Sequence, residues 1–253
     1  MRKLFIFPLL AGAFALSACG MFEISTDDVT NILDTSASLA DKNGYFIGGN
    51  NLTSKTSLST IKYDLDSVIV EKKEVVTTEY FDISNKYYHS TVVDSELFID
   101  STRTSTTKLV EYDTYSYVRN NIVVNAVITK VNNQKVHTVI SKVAANDLEL
   151  QRFNASLKAS YRTFRTIFEE AVTDCRSLIL EKDNTYQNVD ASFNSYGADG
   201  FELEAVSFYE NTNLFIKFRY GQLAEFDLVN WSTGTSAYST FSYGQVSLDY
   251  IDD

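Results

Sequence analysis

The feature that most constrains the fold is a change of hydrophobic period between two strand-like blocks. Apolar and polar residues alternate along much of the chain, as in strands with one side facing a core. After Ala145, apolar residues instead recur every three or four positions, which is typical of one helix face. This mostly aromatic stripe consists of Leu150, Phe153, Leu157, Tyr161, Phe164, Phe168 and Val172. Asn146, with Glu149 three positions later, is a typical helix start.

The strand-like segments before this helix are separated by residues that favour tight turns. The segments before the helix are Val75–Phe81, Tyr87–Val93, Leu109–Val118, Ile122–Val131 and Lys135–Val143. Asn120-Asn121 and Asn132-Asn133 predict short hairpins, so we expect consecutive strands to pair antiparallel. The alternation slips between Ile61 and Val70, which predicts a bulge or bend in one long strand.

Strands resume beyond the aromatic helix. Alternation is clear over 201–205, 214–220 and 223–229, and the last strands are predicted at 238–243 and 246–251. Several strands before the helix carry apolar residues on both sides, as a sheet covered on both faces requires. A further helix is predicted from Thr26 to Lys42. A single α+β domain over residues 26–253 accommodates all these elements.

The first twenty residues carry a different kind of signal. Two basic residues precede a short apolar run that ends in Leu16, Ser17, Ala18 and Cys19. This is the pattern of a secretory signal, since Pro8 and Gly12 interrupt a run already too short to span a bilayer. The segment resembles the lipobox of bacterial lipoprotein precursors. An ordinary secreted protein or an uncleaved N-terminal helix is the alternative interpretation.

The lipobox resemblance implies that residues 1–18 are a signal peptide and that Cys19 becomes the lipidated first residue. Cys19 would then carry a covalent diacylglyceryl group and an N-acyl chain such as palmitate, enough for stable anchoring. Residues 19–25 would form a short tether. The implied location is the extracytoplasmic side of the cell membrane or the outer membrane.

Composition limits the partners of this chain. Its formal net charge is −11, which disfavours nucleic acid and anionic headgroups. We therefore expect no nucleic-acid partner and membrane attachment through the lipid alone. Cys175 is the second cysteine, and it cannot form an intramolecular disulfide with an acylated Cys19.

Strands, one dominant aromatic helix and further strands behind a lipobox resemble two groups of lipoproteins. These are the lipoprotein localisation factors LolA and LolB and the mycobacterial lipid carriers LppX and LprG. The resemblance implies a large bent antiparallel sheet, a half-barrel, with the N-terminal and the aromatic helix packed on its concave face. It also implies an acyl chain held between sheet and helices.

Motifs that carry chemistry are missing from the sequence. His89 and His137 lie in strand-like segments without zinc-ligand spacing, and no nucleophile elbow or phosphate loop occurs. Glu169-Glu170 and Glu202 with Glu204 resemble solvated carboxylates more than a hydrolase pair. We expect no metal, no cofactor beyond the lipid on Cys19, and no enzyme activity. A hydrolase with an unrecognised carboxylate pair is the remote alternative.

The leading hypothesis is a lipid-anchored extracytoplasmic protein that binds a lipid or acyl chain and handles envelope lipids or lipoproteins. Its candidate ligand-binding residues are Phe153, Leu157, Phe164 and Phe168. The same four side chains could instead form an ordinary packed core. The alternative function is a surface module that recognises a glycan or an envelope protein through exposed aromatics near Trp231.

Overall fold

The computed structural model describes residues 51–65, 68–100, 102–181, 189–195, 200–207, 211–220 and 222–251. Within these residues the chain forms eleven strands and one helix. The strands are β1 (Asn51–Tyr63), β2 (Ile69–Asp82), β3 (Tyr87–Ile99), β4 (Ser105–Arg119), β5 (Ile122–Val131), β6 (Gln134–Ala144), β7 (Val189–Ser195), β8 (Gly200–Ser207), β9 (Thr212–Arg219), β10 (Gln222–Asn230) and β11 (Thr235–Ser242). The helix, α1 (Asp147–Glu181), lies between β6 and β7 in the chain.

All the strands belong to one antiparallel sheet. Its order is β6-β5-β4-β3-β2-β1-β11-β10-β9-β8-β7. Two meanders, β1 to β6 and β7 to β11, therefore meet at the centre, where β1 pairs with β11. The two edge strands, β6 and β7, are the ones that α1 connects. A helix of 35 residues is about 52 Å long. The ten spacings between eleven neighbouring strands add up to roughly 48 Å, so α1 is long enough to connect one edge of the sheet to the other.

This architecture confirms the predicted α+β class, a large antiparallel half-barrel with the aromatic helix packed against it. The sheet is open, because β6 and β7 stand at opposite ends of the strand order. The N-terminal helix predicted for residues 26–42 lies outside the described residues, as do Cys19, the signal peptide and the tether.

Helix α1 begins and packs as the sequence predicts. The side chain of Asn146 accepts a hydrogen bond from the amide of Glu149 at 3.0 Å, which caps the first turn. Three aromatic residues of α1 contact three different strands in turn. Tyr161 meets Phe81 on β2, Phe164 meets Phe241 on β11, and Phe168 meets Phe218 on β9. The helix thus crosses the strands of both meanders and holds them together.

Both faces of the sheet are covered near this end of the strands. We call the face that packs on α1 the helix face and the opposite one the tail face. Adjacent residues of β5 show the division, because Val123 belongs to the core under α1 and Val124 to the core of the tail face. The cover on the tail face is the C-terminal tail, residues 244–251, whose Val246 packs against Tyr87 and Tyr117. The predicted two-sided apolar strands are confirmed.

Two predicted strands are wrong, each for a local reason. The predicted bulge is present at Lys62 and Tyr63, where the register of β1 with β2 shifts. The single long strand is wrong, because a turn follows in which Asp64 accepts a hydrogen bond from the amide of Val68 at 2.9 Å. Residues 246–251 do not pair in the sheet. Their alternation arises because alternate side chains of the tail point into the tail face.

Candidate functional site

The four residues predicted to bind a ligand lie together under α1. Phe153, Leu157, Phe164 and Phe168 are each at most 4 % exposed. They pack in one cluster with apolar side chains of the sheet, among them Leu52, Phe81 and Phe218. Burial is what both interpretations of this stripe require, whether it forms a packed core or the wall of a ligand site. The role of these residues in ligand binding stays a prediction.

Beyond α1 the helix face continues as a partly exposed apolar surface. The strand registers place Leu58 opposite Val75, Val92 opposite Tyr112, and Leu228 opposite Leu214. All share the helix face with Phe81, since residues two apart in a strand point to the same side. We call this surface the apolar band. Its members are Leu58, Val75, Val92, Val110, Tyr112, Leu214 and Leu228.

The apolar band is open to solvent at several points. Leu58 is 50 % exposed, Tyr112 42 % and Leu228 39 %. Large apolar side chains in the middle of a sheet are usually covered, and contiguous exposed ones mark interaction sites. Asp94 of β3 also lies within this surface, because it is paired with Val75 on β2 and with Val110 on β4. From Tyr112 on β4 to Leu228 on β10 the band crosses five strand spacings, about 24 Å.

Charged residues border the apolar band on the side away from α1. The ammonium group of Lys73 lies 2.7 Å from the carboxylate of Glu96 and 3.6 Å from that of Glu71. Glu71 also pairs with Lys62 at 2.7 Å. Exposed pairs like these add little stability. Their effect here is to give the band a polar rim facing solvent.

A half-buried carboxylate lies between the apolar band and α1. Glu79 of β2 accepts hydrogen bonds from the hydroxyl of Tyr88 at 2.9 Å and of Ser54 at 3.2 Å. Burial raises the pKa of Glu79 above its ordinary value, and the two hydrogen bonds only partly oppose this. Burial also raises the pKa of Tyr88 to about 12, while Ser90 and Ser160, the latter on α1, act on its hydroxyl and lower this pKa. We call Ser54, Glu79 and Tyr88 the Glu79 cluster.

The tail face carries a second polar cluster, centred on Asp113. This carboxylate accepts hydrogen bonds from Thr91 and Lys130, both at 2.8 Å, and His89 lies 3.6 Å away. Burial alone would raise the pKa of Asp113, but the hydrogen bonds from Lys130 and Thr91 outweigh it and the pKa is lowered. The ring of His89 stacks on Tyr115 at 4.1 Å. These groups satisfy one another, so we assign them a structural role.

The other residues singled out in the sequence are scattered. Cys175 lies in α1 and His137 in β6. Trp231 is half exposed in the turn between β10 and β11. Glu169 pairs with Arg165 on the solvent side of α1, and Glu202 is engaged by a lysine across the strands. The structure does not bring these residues together.

Carboxyl groups with a raised pKa are also dispersed. Burial raises the pKa of Glu79, Asp174 and Asp227. Glu79 lies on the helix face, whereas Asp227, opposite Tyr238 in register, lies on the tail face. Asp174 lies thirteen residues beyond Tyr161 along α1. In the described part of the chain no group of three potential metal ligands is assembled.

Sequence reasoning missed the Glu79 cluster and the apolar band. Glu79 stands two residues before Phe81 and therefore points to the same side of the strand as this core residue. An acidic residue on the core side of a strand is the sequence signal that could have identified Glu79. The band escaped notice because its residues come from six strands. Only the registers show that they share one surface.

No described helix is both long enough and apolar enough to cross a bilayer.

Comparisons with known proteins leave the family open. No family model matches the chain, and no curated protein matches it. One similar solved structure is a DUF1329 family protein from Desulfovibrio piger ATCC 29098, which is 9 % identical over 85 % of this chain and 91 % of that one, with a TM-score of 0.22. A score this low leaves fold and function to be argued from the chain's own residues.

Proposed function

We propose that this protein is a lipid-anchored extracytoplasmic protein that binds a lipid or acyl chain on the helix face and handles envelope lipids or lipoproteins. The observation that supports it best is the apolar band. It lies partly exposed beside an aromatic helix in the middle of a large sheet. A binding surface for apolar chains needs such an area bordered by polar groups.

The lipobox resemblance supports the anchored location. With Cys19 acylated, residues 19–25 would keep the domain near the bilayer, where lipid ligands are found. Metabolic labelling with palmitate followed by membrane fractionation tests this part. We expect the wild-type protein to incorporate label and sediment with membranes, and Cys19→Ala to do neither. A labelled, membrane-bound Cys19→Ala protein would overturn the anchor.

The chain offers a matched pair of variants for the binding surface. Tyr112 on the helix face and Tyr238 on the tail face are the same residue type and are 42 % and 43 % exposed. We expect Tyr112→Ser to weaken binding of the uncharged fluorophore N-phenylnaphthylamine severalfold, and Tyr238→Ser to leave it unchanged. Equal effects, or no binding by the wild-type protein, would contradict the proposal.

Native mass spectrometry of protein purified without detergent provides an independent test. We expect additional mass from a co-purified lipid, which organic extraction removes. A protein that is always free of ligand and does not bind the fluorophore would count decisively against lipid handling.

Recognition of a glycan or an envelope protein is the second candidate. It is favoured by Trp231, whose exposed ring lies in a turn as in many recognition surfaces. Trp231→Ala should then abolish binding to cell-wall or envelope fractions and leave fluorophore binding intact. If Trp231→Ala protein binds these fractions as the wild type does, this candidate fails.

A further inference from the structure

We propose that the ligand of the helix face is held at its polar end by Glu79, to which it donates a hydrogen bond. The ligand would be an amphiphile whose head group carries hydroxyl or ammonium donors and no negative charge. This inference rests on the proposed function and adds the chemistry of the head group to it.

The position of Glu79 fits a contact with a head group. Glu79, Thr77 and Val75 lie on the same face of β2, and successive members of this series are about 6.6 Å apart. A head group at Glu79 would therefore leave its apolar chain on the apolar band. On the other side of Glu79 the face is covered by α1, whose Tyr161 packs against Phe81.

The carboxylate of Glu79 has acceptor capacity to spare. Each of its oxygens accepts one hydrogen bond, Oε1 from Tyr88 and Oε2 from Ser54. A carboxylate has about four acceptor sites, so the hydrogen bonds from described residues leave two for a ligand. Tyr88 and Ser54 also fix the orientation of the carboxylate before a ligand arrives, which reduces the entropy lost on binding.

The charge of Glu79 determines which head groups fit. The interactions that act on Glu79 are burial and the hydrogen bonds from Tyr88 and Ser54, with no cation of the described residues among them. A half-buried carboxylate without a positive partner repels a carboxylate or phosphate head and attracts a donor. Such a residue lowers stability unless something offsets it, and unfavourable groups of this kind concentrate at functional sites.

Displacement of N-phenylnaphthylamine by three amphiphiles with the same chain length tests the inference. The amphiphiles are monolauroylglycerol, dodecylammonium and laurate. For the wild-type protein at neutral pH we expect the first two to displace the fluorophore at concentrations about tenfold lower than laurate, since a hydrogen bond to a charged group is worth about that factor. Displacement by all three at the same concentration would overturn the inference and leave the proposed function standing.

Two variants separate a role in recognition from a role in structure. Glu79→Gln keeps the shape and removes the charge, so we expect the preference over laurate to fall to about twofold. Thr77→Lys places an ammonium group beside Glu79. We expect this variant to bind laurate more tightly than monolauroylglycerol or dodecylammonium. A preference that both variants retain would overturn the inference. A wild-type protein that binds neither fluorophore nor amphiphile would instead overturn the proposed function.

Discussion

The hydroxyl of Tyr87 makes two hydrogen bonds to a single residue of the C-terminal tail. It donates to the carbonyl oxygen of Asp249 at 2.9 Å and accepts from the amide of the same residue at 3.1 Å. The ring of Tyr87 is fully buried, and Tyr250 packs edge-on against it. Because the tail does not pair in the sheet, these contacts replace the hydrogen bonds of a strand ladder.

Removing this hydroxyl should loosen the tail. We expect Tyr87→Phe to lower the free energy of unfolding by about 1–2 kcal/mol, because the carbonyl and amide of Asp249 lose their partly buried hydrogen-bond partner. The variant should also be cleaved faster within residues 244–251 by a dilute protease, as mass spectrometry of the products would show. Tyr238→Phe, on the same face and away from the tail, is the control. Equal cleavage of both variants would mean that Tyr87 does not hold the tail.

A glycine at the start of β8 should be irreplaceable. Gly200 has a φ of +130°, and a Cβ added there would lie 2.0 Å from the carbonyl oxygen of Phe218. Strain in this backbone region and the clash with main-chain atoms both oppose a side chain. We expect Gly200→Ala to reduce the free energy of unfolding by about 3 kcal/mol or more.

Gly244 provides the matched control for Gly200. A Cβ added at Gly244 meets nothing within 4 Å, so Gly244→Ala should change stability by less than about 0.5 kcal/mol. Urea unfolding followed by tryptophan fluorescence measures both variants. Similar midpoints would show that β8 adjusts to the added methyl group.

The sequence predicts much of the sheet because burial on one side leaves a clear alternation. Asn120-Asn121 and Asn132-Asn133 adopt the positive φ values of tight hairpins, and β4, β5 and β6 follow from them. The first half of β1 is harder to predict. Its residues on the helix face include Ser54 and Thr56, whose hydroxyls hydrogen-bond to Glu79 and Ser239. With polar residues on this face as well, the sequence shows no alternation of apolar and polar residues there.

The candidate site was less predictable than the fold. The aromatic stripe of α1 is visible in the sequence because a helix face is a local pattern. The apolar band depends on which strands are neighbours, and that is set by pairings such as β1 with β11 between distant parts of the chain. In the sequence Glu79 looks like an ordinary acidic residue of a strand. Only the structure shows that its side chain is half-buried and accepts a hydrogen bond from Tyr88.

The central aromatic of α1 should contribute strongly to stability. Phe164 is 2 % exposed and contacts Tyr161, Phe241 and Tyr243. We expect Phe164→Ala to lower the free energy of unfolding by about 3–5 kcal/mol, because it leaves a cavity where α1 joins β11. Chemical denaturation measures this, with Asn154→Ala on the solvent side of α1 as control. A loss below about 1 kcal/mol would indicate a loosely filled interface.

Stability should depend on pH through Glu79. Its folded pKa is raised above the ordinary value of 4.5 by burial, so the folded state binds the proton more tightly than the unfolded chain. The stability that this carboxyl contributes is complete below its unfolded pKa and is lost as the pH rises through its folded pKa.

Glu79→Gln isolates this contribution. We expect the variant to gain stability relative to the wild type as the pH is raised from about 4 to about 7, as thermal unfolding at several pH values would show. In the variant the amide oxygen can accept a hydrogen bond from one of the two hydroxyls, of Tyr88 and Ser54, and the amide nitrogen can donate one to the other. A stability difference that does not change with pH would mean that Glu79 titrates normally in the folded protein.

The pairing of β1 with β11 also has a consequence for the order of folding. Each meander consists of neighbouring hairpins, so its contacts form between residues close in the chain. The seam between the meanders joins residues such as Thr56 and Ser239, which are 183 positions apart. Closing so long a loop is slow. We therefore expect the two halves to form first and their joining across β1 and β11 to set the folding rate, with α1 linking the halves in the meantime.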